Sequence, residues 1–305
     1  MASKKEEELN WKVGAYDLKI SHPQKIYWPL EGITKLKVLE YYKEMTEFML
    51  PYFKNRPATV HYFPRGIGNS SFYKRDFGDV VENKKKFKTA FYKEVSQDKT
   101  IQVPIIDSQA GILWFASKGG FEFHLWSSKI PDYSKPDIAI FDLDASKNTC
   151  YERIIRATKY LNEFLLSLGI SGFPKTSGGT GMHVYVPIFP EYTFIEVRNW
   201  VKKIGIALEK LHPDLITTLR VQGTTHKSSK ISIDYLQNVI SRNTVAPYSL
   251  RGYTGTPVST PLSWNEIEEG EFSPLDFNIK TVPKRLKEMG DVFSNVLTSK
   301  YHLEI

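Results

Sequence analysis

The stretch P-D-I-A-I-F-D-L-D-A-S, residues 136–146, decides the reading of the fold. On a period-two strand, Ile138, Ile140, Asp142 and Asp144 share one face, and Ala139, Phe141 and Leu143 share the other. An apolar strand gains nothing in packing from two acids on one side, because like charges repel and cost desolvation energy without a cation. One intervening residue sets their Cα atoms roughly 7 Å apart, close enough for both to lean onto one ion or a close ion pair. Oxygen-only ligands suit Mg²⁺ or Mn²⁺. The alternative is a strand end whose acids are solvated or cap the next helix.

Around this strand the chain alternates strands and amphipathic helices. Residues 11–20, 59–63, 101–106, 121–126 and 230–236 read as strands. Thr34 caps a helix to about Leu50 with Pro51 as its stop, and residues 108–118 read as a helix. Ile154, Ile155, Leu161, Phe164, Leu165 and Leu168 give 151–168 one apolar helical face. Thr193 and Glu196 form a capping box that opens a helix to about Leu211. Residues 1–10 read as a flexible tail and 11–305 as one catalytic domain. Its final segment, 257–305, packs on the core and carries a short helix near 284–289. The basic run 82–88 reads as a solvated loop.

Two further stretches carry chemistry. In K-T-S-G-G-T-G-M-H-V-Y-V-P-I, residues 175–188, Gly178, Gly179 and Gly181 let the backbone approach a ligand and offer N–H groups to an anion. Ser177 adds a hydroxyl, Lys175 a charge, and His183 emerges beside the loop on the less apolar face of the next strand. This is neither a Walker A loop nor a dinucleotide fingerprint. In I-S-I-D-Y-L-Q-N, Asp234 is a third strand-borne acid, which could equally bond a neighbouring loop. Three carboxylates holding two metals can activate a 3′-hydroxyl and bridge a triphosphate, and Arg251 offers charge for that triphosphate. Phe72 and Tyr73 stand directly before Lys74 and Arg75, so rings can stack on bases while cations hold phosphates; an ordinary hairpin edge is the other possibility. Lys25 lies in a loop, and Lys35 opens the first helix. His124 sits on the less apolar face of its strand, where a lone histidine is ordinarily just hydrogen-bonded surface.

Composition narrows the partners. The formal charge of +7 and pI near 9.1 favour polyanions, though only weakly. A single cysteine, Cys150, excludes an intrachain disulfide and a cysteine zinc cluster. No run approaches the ~18 apolar residues of a spanning helix, and the charged N-terminus lacks a signal-peptide core. A cytoplasmic protein, with no membrane partner, is expected.

The motifs D-L-D at 142–144, S-G-G-T-G-M-H at 177–183, and D-Y-L-Q-N followed by P-Y-S-L-R within 234–251 closely resemble the polymerase domain of ligase D, the prokaryotic end-joining polymerase of the archaeo-eukaryotic primase superfamily. The openings S-H-P-Q-K-I-Y-W-P and H-L-W-S-S are similar too, and the likeness runs from about His22 to about Val292. It implies an α/β, two-layer core with mixed, mainly antiparallel sheets and an RRM-like catalytic module. It implies Asp142, Asp144 and Asp234 as ligands of two Mn²⁺ or Mg²⁺ ions. Ser177, His183, His124 and Arg251 then hold the nucleotide triphosphate. Phe72 and Tyr73 stack on the template, although the family usually has Phe at both places. Lys25 falls at a pocket for the downstream 5′-phosphate. The implied activity is template-directed addition of nucleotides, preferably ribonucleotides, at gaps and broken ends, with Ku and a DNA ligase as partners in a nucleoid setting. The ligase nucleophile motif K-x-D-G is absent from this sequence, so either a stand-alone polymerase or an excised domain is expected. Two alternatives stay open: a replicative-type primase that starts chains de novo, and a non-catalytic subunit that bridges DNA ends.

Overall fold

In the computed structural model, the described residues are 8–79, 87–94, 98–145, 149–219 and 229–304. Strands β1 (Glu8–Val13) and β2 (Tyr16–Ser21) form an antiparallel hairpin. The expected single strand over 11–20 is therefore two, because Gly14 at φ +58° reverses the chain. Pairing from Glu8 onward also removes residues 8–10 from the expected tail; residues 1–7 lie outside the described residues.

After the ribbon of β3 (Ile26–Trp28) and β4 (Ile33–Thr34), helix α1 spans Lys35–Phe53. Thr34 Oγ1 caps it by accepting the Lys37 N–H at 3.3 Å. Pro51 does not stop the helix. In the last turn a proline forfeits only one intrahelical bond, and the Lys54 N–H still reaches the Leu50 carbonyl at 3.0 Å. Then follow β5 (Ala58–Tyr62), β6 (Phe72–Lys74), β7 (Lys88–Glu94), β8 (Lys99–Ile105), α2 (Gln109–Ser117) and β9 (Gly120–Trp126). Of the run read as a solvated loop over 82–88, residues 82–86 lie outside the described residues. Phe87 is buried against Phe77, Trp114 and Phe115, and Lys88 already belongs to a strand.

The second half holds β10 (Ile138–Ala145), α3 (Tyr151–Ser167), β11 (Phe173–Thr176), β12 (Met182–Pro187), α4 (Phe194–Leu211), β13 (Ile216–Thr217), β14 (Ile231–Ile233) and β15 (Asn243–Val245). Helices α5 (Trp264–Glu269) and α6 (Val282–Met289) complete the elements. The capping box of α4 is present, and Val197, Val201, Ile204 and Leu208 form its buried stripe.

One sheet runs β11–β12–β10–β14–β13 and another β15–β9–β5–β6. Among the described strands only β13 and β14 pair in parallel, so the mixed, mainly antiparallel α/β class holds. The order of β14, β10, β12 and β11 across the first sheet, with α3 and α4 as crossovers, is the β-α-β-β-α-β plan. Strand β10 lies at its centre and is buried through Leu143, which is why its sequence is apolar on both faces.

One continuous apolar core, from Val13 to Leu303, joins the two sheets. Residues 257–304 run along the first sheet: the Leu262 N–H donates to Pro174 O and the Tyr301 N–H to Pro187 O, both at 3.0 Å. Among the described residues no helix is long and apolar enough to cross a membrane.

Candidate nucleotide and nucleic-acid site

Where β10 leaves the core, an open cleft with about 650 Å³ of empty space brings together Asp142, Asp144, Ser177, His183, His124 and Arg251. The register of the sheet explains the first pairing. Asp142 lies opposite His183 on β12, and Asp144 opposite Ser232 on β14. His183 Nε2 stands 3.2 Å from Asp142 Oδ1, and Gln237 Nε2 donates to Asp142 Oδ2 at 2.9 Å. Burial, followed by the charges of Lys175 and Arg251, holds the His183 imidazole well below its ordinary pKa.

Asp234 follows β14 rather than lying on it, so the strand expected over 230–236 ends at Ile233. Its N–H donates to the Asp142 carbonyl at 2.8 Å, which places the two acids side by side along the backbone. Its own Oδ1, however, accepts the Leu236 N–H at 2.9 Å and caps a 3₁₀ turn over Tyr235–Gln237. Asp142 and Asp144 line the cleft and Asp234 does not. Among the described residues no group of three His, Cys, Asp or Glu side chains is set to hold one ion. The donor chemistry fits a hard cation.

The glycine loop closes the cleft from the β11–β12 side. Ser177 Oγ accepts the N–H groups of Gly179 at 3.2 Å and Gly181 at 3.1 Å, so the hydroxyl shapes the loop. Gly178 has φ +69°, and a Cβ there would meet Arg251 Cγ at 2.6 Å. Gly181 is equally constrained: its Cβ would lie 2.8 Å from Leu143 O and 3.4 Å from Asp144 Oδ1. Ser177, Gly179, Thr180 and Gly181 face the cleft, but Gly178 and Lys175 do not. The expectation of a charged Lys175 beside the anion is corrected here. Its side chain is fully buried, its Nζ donates to Ser259 Oγ, and desolvation drives its pKa far down.

The opposite wall comes from β9 and the segment after β15. His124 is not a surface histidine, because β9 is a central strand buried on both faces. Its Nε2 bonds Glu122 Oε1 at 2.8 Å. Arg251 Nε stands 3.2 Å from the same oxygen, while its guanidinium donates to the Ser177 carbonyl and, at 3.2 Å, to the Tyr253 hydroxyl. Burial pushes the Glu122 carboxyl up, but the hydrogen bond from His124, the nearby His61 and the Arg251 charge reverse this and hold it far below the carboxylate range. Sequence reasoning missed Glu122, Gln237, Asn243 and Tyr253. The available signal was Glu122 sharing a strand face with His124, two residues away.

Phe72 and Tyr73 project from edge strand β6 with 50% and 57% of their surface exposed, the exposure a base-stacking platform needs. They are stiffened from behind. Phe72 stacks on Tyr62 at 5.2 Å, and Tyr73 on His61 at 3.8 Å. Lys74 Nζ lies 4.9 Å over the Phe77 ring and 3.4 Å from Asp79. The exposed Lys25 donates to Pro64 O at 2.7 Å. Lys35 is buried, contrary to its reading as a helix-opening surface lysine, and its Nζ donates to Ser21 O. Burial, then the charges of Lys25 and Lys118, lowers its pKa to about 8. Lys25 and Lys118 therefore lie near enough to Lys35 to repel its charge, and Lys118 went unread.

The family model described as the LigD primase-polymerase domain matches residues 34–293. The bifunctional non-homologous end joining protein LigD of Bacillus subtilis is 30% identical over 277 residues, which cover 90% of this chain and 43% of that protein. The multifunctional non-homologous end joining protein LigD of Mycolicibacterium smegmatis is 26% identical over 287 residues, 93% of this chain and 37% of that one. A solved structure of the polymerase domain of Mycobacterium tuberculosis ligase D in complex with DNA is similar with a TM-score of 0.85 and 25% identity. That match covers 93% of this chain and 99% of the other. This chain spans about two-fifths of the two curated relatives (43% and 37%). With more than four-fifths of its length under the family match and the same fold throughout, the chain belongs to the LigD primase-polymerase domain family.

Proposed function

We propose that this chain is a template-directed nucleotidyltransferase that fills gaps and extends ends in non-homologous end joining, with ribonucleotides preferred. The observation that carries the reading is one polar cleft with carboxylates on one wall and cationic or N–H donors on the other, in a member of the LigD polymerase family. Carboxylates facing a cleft that is also lined by an arginine, two histidines and a glycine loop complement a metal–triphosphate pair.

Asp142, Asp144 and Asp234 are the residues that would hold Mn²⁺ or Mg²⁺. Asp142 would give up its contacts with His183 and Gln237, and Asp234 its bond from Leu236. When bound, the ions supply Lewis-acid charge for the primer 3′-hydroxyl and the triphosphate oxygens. His183, released from Asp142, then turns its Nε2 to phosphate. His124 and Arg251 neutralise charge on the far wall. Ser177 Oγ exchanges the N–H groups of Gly179 and Gly181 for the anion, and Gly178 keeps the loop tight enough for that exchange. Lys175 acts only from beneath the loop. Phe72 and Tyr73 stack template bases and Lys74 holds backbone phosphate. Lys25, with the charges of Lys35 and Lys118 nearby, takes a downstream 5′-phosphate. Partners of this activity are gapped or broken DNA, nucleoside triphosphates, Ku and a DNA ligase, which places it at the nucleoid.

The test is insertion into a one-nucleotide gap, comparing ribo- with deoxyribonucleotides, Mn²⁺ with Mg²⁺, and a 5′-phosphate with a 5′-hydroxyl. Templated ribonucleotide insertion stimulated by the phosphate is expected. The stimulation should vanish in a Lys25→Ala/Lys35→Ala variant. It should also fade as pH rises above about 8, because Lys35 loses its proton there and a bound phosphate shifts that loss upward. Insertion indifferent to the phosphate would favour a primase that starts chains de novo. Intact DNA binding without any insertion would favour an end-bridging subunit.

A further inference from the structure

Glu122 lines no part of the cleft, yet it touches groups that belong to two different functions. It is 2% exposed. Its carboxylate stands 2.8 Å from His124 Nε2, 3.2 Å from Arg251 Nε and 3.4 Å from His61 Nδ1, and it accepts the Gly252 N–H at 2.9 Å. A buried carboxylate is costly unless its partners need it. This one has three basic side chains around it, two of them cleft residues.

The sheet register shows where the third leads. Tyr73 on β6, His61 on β5 and Glu122 on β9 are direct cross-strand partners, so they form one row on one face of the sheet. The Tyr73 ring lies nearly parallel to His61, at 3.8 Å and 16°, and meets His124 edge-on at 5.5 Å. His61 is further held by Ser71, whose Oγ is 2.9 Å from Nε2. At the other end of the row, Arg251 reaches the Ser177 carbonyl of the glycine loop. A continuous line of packed or bonded side chains therefore runs from the exposed stacking ring to the anion-binding loop.

We infer that Glu122 is a positioning residue that couples the triphosphate-binding pair, His124 and Arg251, to the Tyr73 stacking platform through His61. The inference rests on the reading of the cleft given above. A carboxylate only accepts, so it holds a His124 proton on Nε2; a phosphate oxygen at Nδ1 then meets an N–H in the doubly protonated ring, the form the adjacent carboxylate favours, and the same carboxylate pairs with the Arg251 guanidinium from its Nε side. A base stacked on Tyr73 presses the row toward the geometry that binds triphosphate. By linkage, a bound triphosphate stabilises the stacked template to the same degree.

Calorimetric binding of inorganic tripolyphosphate, with and without a primer–template duplex, tests this without requiring turnover. Glu122→Gln keeps the shape and removes the charge. Loss of its charged hydrogen bonds should weaken tripolyphosphate binding on the order of tenfold or more, and Glu122→Asp should recover part of the loss. His61→Phe leaves Glu122, His124 and Arg251 in place. It should retain tripolyphosphate affinity in the absence of DNA but lose the tightening that DNA causes in the unaltered protein. In steady-state assays both variants should raise the nucleotide KM more than they lower kcat. Unchanged binding by a folded Glu122→Gln protein overturns the inference, as does His61→Phe with the DNA effect intact. If Glu122→Gln fails to fold, His61→Phe decides alone. If the unaltered protein does not bind tripolyphosphate at all, the reading of the cleft falls, and the inference with it.

Discussion

Strand β10 has carboxylates at both ends, and they behave oppositely. Asp137, just before the strand, is buried and accepts two parallel bonds from Arg56, at 2.6 and 2.8 Å, with Lys129 at 3.1 Å and Lys300 at 3.8 Å. Arg56 stands just before β5, so this ion pair bolts the two sheets together at one end. At the other end Asp142 and Asp144 line an open cleft, with one histidine and one amide on Asp142. Two acids of the same chemistry, five residues apart, are thus spent differently. The first is neutralised for good by an arginine matched to both its oxygens. The second keeps partners that a ligand can displace.

The largest expected effect breaks the open end. Asp142→Ala/Asp144→Ala should reduce nucleotide addition by on the order of 10⁴-fold, several kcal/mol of lost transition-state stabilisation. Its melting temperature should stay level or rise, because two neighbouring like charges are gone. Single-turnover extension and thermal melting check both halves, and a variant as unstable as one at Asp137 would erase the contrast.

Breaking the closed end should do the reverse. Arg56→Ala or Asp137→Ala strands a buried charge and should cost about 3–5 kcal/mol in denaturant unfolding, with insertion retained at temperatures where the variant is folded. Acid sharpens this. Burial pushes the Asp137 carboxyl up, but Arg56, with Lys129 and Lys300, outweighs burial and holds it at about 2. A depressed pKa contributes stability that is fully present above the unfolded value near ~4 and lost as pH falls through about 2. The stability gap between the unaltered protein and Asp137→Asn should therefore narrow only below about pH 4.

The smallest effect probes how closely the loop is fitted to the open end. Gly181→Ala forces a contact of 2.8 Å on Leu143 O and crowds Asp144, whereas Gly179→Ala meets Tyr253 and Ser177 at 3.5 and 3.6 Å. Nucleotide affinity should fall roughly tenfold, ~1.4 kcal/mol, for the first and stay within a factor of about two for the second. Equal losses would mean that any side chain in the loop is harmful, and that its fit against β10 is immaterial.

Much of this was present in the sequence. Local chemistry determined the alternation of 138–144, the Thr34 cap, the Thr193 and Glu196 capping box of α4, the α3 stripe as far as Leu165 but not the exposed Leu168 beyond the helix, and the glycine turn before β12, because each depends on residues within a few positions of one another. The acids at 142 and 144 and the histidine at 183 were legible for the same reason. Only the tertiary structure decided which polar groups are enclosed. Lys175 and Lys35 read as free cations until other segments covered them, Lys175 by the strand-like run around Ser259 and Lys35 by the end of β2 at Ser21. Glu122 shares its strand face with His124, and it is enclosed only because β5 flanks β9 on one side and Arg251 arrives from a segment 129 positions along the chain. Whether a strand's polar face meets water or another layer is a long-range fact. Period-two alternation describes the faces of a strand, and only the packing of distant segments says which of them stays wet.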